Sequence, residues 1–148
     1  MHRRVATFAV LMMAITSFTP PGRSAEWQPP VEPESWKEIR QDLQTKGVIT
    51  EKPWLFFGAL QNDTTLAAEY LSNLRASDNS TAFDGLLLIK RIQTDEKTST
   101  DWTARPLTMR AICAEGRIER QDADGTWSSY PGRVDTSAKV SWICEQNR

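Results

Sequence analysis

The sequence predicts an α+β domain: a mainly antiparallel β-sheet with one N-terminal helix and one disulfide. Three observations carry this. Residues 33–46 place apolar side chains at helical spacing, several later segments alternate apolar and polar residues, and the chain has only two cysteines, Cys113 and Cys144.

The first 24 residues read as a cleavable signal peptide. His2, Arg3 and Arg4 form a basic start, and Val5 to Phe18 are an apolar run of about 14 residues, too short to span a bilayer. Pro20, Pro21 and Gly22 break the run, and the small residues Gly22 and Ser24 suit cleavage after Ser24. An uncleaved anchor is the alternative. Arg3-Arg4 hints at a twin-arginine signal without the rest of that pattern, and no cysteine follows the run to take a lipid. Residues 25–33 (AEWQPPVEP) are proline-rich and read as a flexible leader. The single domain then spans 34–148, a size that buries roughly two-thirds of the unfolded surface.

Within that domain, Trp36, Ile39 and Leu43 share one helical face, Pro33 suits the first turn and Gly47 the stop. Trp54 to Leu60 (WLFFGAL) is apolar on both sides, as in a covered strand. Leu66 to Leu74 fits a helix or a strand, and the choice stays open at 65–75. Ala76 to Ala82 reads as a polar turn, Leu86 to Ile92 as a strand, and Thr94 to Thr103 as a long polar loop. Leu107, Met109, Ala111 and Cys113 alternate with Thr108, Arg110 and Ile112, and Ala138, Val140, Trp142 and Cys144 alternate with Lys139, Ser141 and Ile143. Both cysteines are therefore expected on the apolar faces of strands, with Trp54 and Trp142 in strand cores. Between them, Asp124-Gly125 suits a tight hairpin turn flanked by 116–121 and 126–130.

Export bears on the chemistry. In an oxidising compartment the two cysteines are expected to pair, two free thiols being the alternative. The only histidine, His2, leaves with the signal peptide, which excludes Ser-His-Asp and Cys-His catalysis and ordinary zinc sites. No Ser-x-x-Lys, glycine-rich phosphate loop or dinucleotide fingerprint occurs. Cleavage removes three arginines and no acid from 18 basic and 19 acidic residues, leaving 15 against 19, so the mature charge of −4 argues against nucleic acid. No later segment is apolar enough to span a membrane, and no cofactor is expected.

Carboxylate chemistry survives this exclusion. Glu69, Asp84, Glu115 and Glu119 are candidate acids for glycoside hydrolysis, yet spacing singles out none of them. Asp122-Ala123-Asp124-Gly125 resembles the start of a calcium loop but lacks the later ligands, so a plain turn explains it. Asn62-Asp63-Thr64 and Asn79-Ser80-Thr81 match glycosylation sequons, which matter only in a eukaryotic secretory pathway. Of the six tryptophans, Trp36 is expected to anchor the helix, whereas Trp27, Trp102 and Trp127 fall in or beside loops, where aromatics bind sugars or protein partners.

A family likeness rests on these segments. Trp54-Leu55-Phe56-Phe57-Gly58 is followed by a Tyr70-containing element with Leu74-Arg75 and by the 86–92 strand. Then come Thr108 to Cys113, Arg117-Ile118-Glu119-Arg120, and a close on Trp142-Ile143-Cys144. Over residues 53–145 this resembles the surface-adhesin protein E family and similar small exported β domains of Gram-negative bacteria. The helix at 33–46 is outside that pattern, as is the absence of a lipoprotein anchor. The resemblance implies an envelope protein that binds host or envelope macromolecules, and it supplies no catalytic residue.

The expectation is thus a non-enzymatic binding domain of the periplasm or cell surface, contacting an unknown protein or glycan of the envelope or host through Trp102, Trp127 and Tyr130. A periplasmic inhibitor of a hydrolase is the second reading, and a carboxylate-dependent cell-wall glycan hydrolase the third.

Overall fold

The computed structural model describes residues 27–92, 102–130 and 134–146. The expected signal peptide, the first two leader residues and most of the polar loop from Thr94 lie outside the described residues.

Helix α1 (Glu34–Thr45) forms where the apolar spacing placed it, with Trp36 and Leu43 buried and Ile39 packed beside them. The Pro33 carbonyl accepts the first turn's bonds from Trp36 and Lys37, both at 3.0 Å. Gly47 (φ +72°) stops the helix in the left-handed conformation, and Val48 N–H returns to the Leu43 carbonyl at 2.9 Å.

Six strands follow: β1 (Leu55–Gln61), β2 (Thr65–Ala76), β3 (Ser80–Arg91), β4 (Thr103–Ile112), β5 (Arg117–Gln121) and β6 (Trp127–Ser129). Each pairs antiparallel with its neighbour in sequence, so the sheet is a meander in the order β1-β2-β3-β4-β5-β6. Segment 65–75, left open by its periodicity, is strand. It is long enough to pair along β1 on one side and β3 on the other, which satisfies its backbone groups in both directions. The stretch expected as a turn at 76–82 is shorter than that, because Ser80, Thr81 and Ala82 already belong to β3 and pair with β4. Thr103, expected in the loop, opens β4 opposite Ile89. Asp124-Gly125 makes the β5–β6 turn as expected, with Gly125 at φ +87°.

Alternation along the strands builds two cores. Phe56, Ala68, Tyr70, Leu86 and Leu88 point to the side where Trp36 and Leu43 of α1 sit. Phe57, Leu71, Phe83, Met109, Ala111 and Ile118 point to the other side. That second face is covered by α2 (Thr136–Glu145), which buries Val140, Ile143 and Cys144.

Helix α2 corrects the strand expected over 138–144. Alternation and the i, i+3, i+4 spacing of Val140, Ile143 and Cys144 fit the same short run. The helix prevails because the sheet presents a broad apolar face to cover. Trp142 accordingly lies on a helix, half buried, and Trp54 stands just before β1 rather than inside it. The cysteines do pair, Cys113 to Cys144 with Cα atoms 6.0 Å apart. Neither sits in a strand: Cys113 is in the turn after β4 and Cys144 is on α2. The bridge ties the last helix to the sheet it covers.

Closing a loop with a sequence separation of 31 stabilises the fold by about 3.5–4 kcal/mol in the chain-entropy treatment. Urea unfolding of the oxidised and the Cys113→Ser/Cys144→Ser proteins is therefore expected to differ by up to that amount, with α2 losing amide-exchange protection first. Equal midpoints would show that the bridge contributes nothing to holding α2.

Candidate functional site

Helix α1 covers only one end of its sheet face. Leu86, Leu88, Ala104 and Trp102 lie beneath or beside it. Further along the same strands the same side-chain parity brings up polar groups: Asp84 on β3, Thr108 and Arg110 on β4. The register sets Asp84 opposite Thr108 and Arg110 opposite Glu119 of β5. Two charged groupings result.

In the first, Asp84 accepts from Lys52 at 2.9 Å, from Arg75 at 3.3 Å and from Asn73 at 3.3 Å. Asn73 reaches it from a β2 irregularity where its own backbone is left-handed (φ +57°), a conformation asparagine tolerates better than most residues. In the second, buried Glu119 accepts from Arg110 at 2.8 Å and from Arg117 at 2.8 Å, and Arg117 also pairs with Glu115. The Arg110 guanidinium lies 4.2 Å from the centre of the Trp127 ring, a cation–π contact at the β4–β5–β6 end of the sheet.

These contacts fix the protonation states. Hydrogen bonds from Arg117 and then Arg110 hold the Glu119 carboxyl below the usual range. At Asp84 burial pushes the pKa up, and the bonds from Lys52 and Asn73 with the charges of Lys52 and Arg75 outweigh it, so the net shift is down. Among the described residues, every carboxyl with a resolved shift (Glu32, Asp84, Glu119 and Asp124) moves downward. A glycosidase acid needs the opposite shift.

The three aromatics expected to form one contact surface are placed apart. Trp127 lies over Arg110. Trp102 packs edge-on against Trp36 with ring centres 5.0 Å apart and Lys90 over its ring, at the α1 end of the same side. Tyr130 packs with the α2-side core, on the opposite face. None of the three is fully buried. Tyr130 also lines an apolar recess with Phe57, Leu71, Phe83, Leu107 and Ile118. Its volume of about 40 Å³ leaves room for a few waters.

The sequence assigns Arg110, Lys52 and Arg75 no place in a site. Their partners lie one strand away or further, so only the register reveals them. The Asp122–Thr126 turn is tightly tied: Asp122 N–H donates to Thr126 O at 2.7 Å, Gly125 N–H to Asp122 O at 2.9 Å, and Asp124 accepts from the Thr126 amide and hydroxyl. Asn62 uses its side chain in the same way, accepting from the Thr64 and Thr65 amides in the β1–β2 turn. Among the described residues no three His, Cys, Asp or Glu side chains stand together as metal ligands.

Because the native pKa of Glu119 lies below its unfolded value, its stabilisation is complete above the ordinary carboxylate pKa near pH 4 and is lost as pH falls through the native value. Glu119→Gln is expected to melt below wild type at about pH 7, with the gap closing toward about pH 3. A gap independent of pH would mean that the carboxylate charge is irrelevant to stability.

No protein-family model, curated protein or solved structure matches the chain.

Proposed function

We propose that this chain is an exported, disulfide-stabilised, non-enzymatic binding domain of the bacterial periplasm or cell surface, adhesin-like in the sense of the family it resembles. Its partner is a protein or glycan of the envelope or host. The disulfide fits an oxidising compartment, and no helix among the described residues is long and apolar enough to cross a membrane.

The observation that carries the reading is Trp127 laid over Arg110 at the end of the sheet that α1 leaves uncovered. An aromatic ring held in place by a guanidinium, itself anchored on Glu119, loses little freedom when a partner docks. The neighbouring Asp84, Lys52 and Arg75 offer charges of both signs, which suits selective contact with a polar surface.

Inhibition of a hydrolase is a second reading, supported by the hairpin tip. Asp122 and Asp124 sit on an exposed turn whose side-chain and backbone bonds leave it little freedom, a shape able to enter a basic cleft.

Retention of envelope extract by the immobilised, oxidised mature domain separates these readings. Trp127→Ala is expected to lower capture of the principal partner at least tenfold, with Trp102→Ala and Asp124→Asn leaving it within about twofold, a tenfold loss being about 1.4 kcal/mol. Loss confined to Asp124→Asn, together with inhibition of a lysozyme or protease, supports the inhibitor reading. Equal capture by all three variants removes the Trp127 surface.

A further inference from the structure

The outer edges of the meander are treated differently. At one end β6 is only three residues long, and shortness alone protects an edge. At the other end β1 runs for seven residues, LFFGALQ, with no charge and no proline. Leu55 and Leu60 on it are 37% and 41% exposed, large values for leucines on a strand. A long, uncharged, apolar edge is a template for pairing with another chain.

One segment of the chain changes faces beside that strand. Trp27 packs in the α2-side core, its ring centre 4.9 Å from that of Phe57 and 5.8 Å from that of Trp142. Five residues later Glu32 is on the α1 side. It accepts two bonds from Arg40, at 2.8 and 2.9 Å, and one from the Tyr70 hydroxyl at 2.9 Å. Phe57 and Tyr70 belong to opposite faces of the sheet. Phe57 lies on β1, the terminal strand, so the chain changes faces over residues 28–31 close to that strand, and Val31, 91% exposed, stands out there.

The segment does not pair with β1. Residues 27–33 carry no strand, and among the described residues no backbone bond joins them to β1. Pro29 and Pro30 lack amide donors, so they cannot extend a ladder. The edge therefore keeps its unpaired backbone groups, and the segment beside it is held by side chains at its two ends, Trp27 and Glu32.

We propose that Trp27–Pro33 is an edge guard, and that its release lets two copies of this chain join through antiparallel β1–β1 pairing. A second copy is the favoured occupant because β1 is self-compatible. A two-fold antiparallel pair sets uncharged residues against uncharged residues at every position and needs only one kind of surface. The opposite edge is too short to compete.

Light scattering on a sizing column, run on the oxidised mature chain over a wide concentration range, tests this. Wild type is expected to stay monomeric. Trp27→Ala, folded by near-ultraviolet dichroism and with its disulfide intact, is expected to double in mass as concentration rises. Adding Leu60→Lys should return it to monomer by placing a charge in the pairing strand. Should Trp27→Ala fail to fold, Glu32→Gln loosens the other pin, leaves the aromatic cluster alone and is read in the same way. A folded variant of this segment that stays monomeric, or an association that Leu60→Lys does not reverse, overturns the proposal.

Discussion

Burial of β3 on both faces is the constraint from which the rest of the architecture follows. Leu86 and Leu88 face α1, and Phe83 with Leu87 faces the other way, all of them at or below 8% exposure. Fully burying each such side chain is favourable by about 1.5–3 kcal/mol, so neither face of the sheet tolerates being left bare. A strand that is apolar on two sides requires cover on two sides. Helix α1 supplies one cover from before the sheet and α2 supplies the other from after it. The two helices are thereby drawn onto opposite faces of one meander, and the Cys113–Cys144 bridge secures the later of the two covers.

The same geometry explains where polarity is allowed. Helix α1 is 12 residues long, and Trp36 and Leu43 seat it over the 86–88 end of the face. Beyond its reach the strands still need side chains on that face, and these are charged. Asp84 and Glu119 each sit among cations, so each carboxylate recovers in hydrogen bonds what it gives up in hydration. Trp127 is the apolar exception, and it rests on a cation rather than on a core.

The N-terminal segment takes part in the same scheme. Glu32, Arg40 and Tyr70 bind the start of α1 to the sheet beneath it. Burial, followed by the bond and charge of Glu32, pushes the Tyr70 phenol well above its ordinary pKa, so it remains a hydrogen-bond donor throughout the physiological range. Trp27 completes the α2-side core from the opposite direction. A stretch with prolines at 29, 30 and 33 thus links the two cores.

Local pattern by itself determined the first helix from Trp36, Ile39 and Leu43, most of the strand positions, the Asp124-Gly125 turn and the pairing of Cys113 with Cys144. Each depends on a period, a turn dipeptide or a two-cysteine count, all of them short-range properties. Tertiary structure alone decided that 138–144 is a helix, that 65–75 is a strand, and that Trp127 and Tyr130 face opposite ways. In a run of seven residues the two periods fit equally well, and the choice falls to the surface available for burial. The polar site was beyond the reach of sequence for a related reason. Arg110 meets Glu119, and Lys52 meets Asp84, only once register brings together residues that are nine and 32 positions apart.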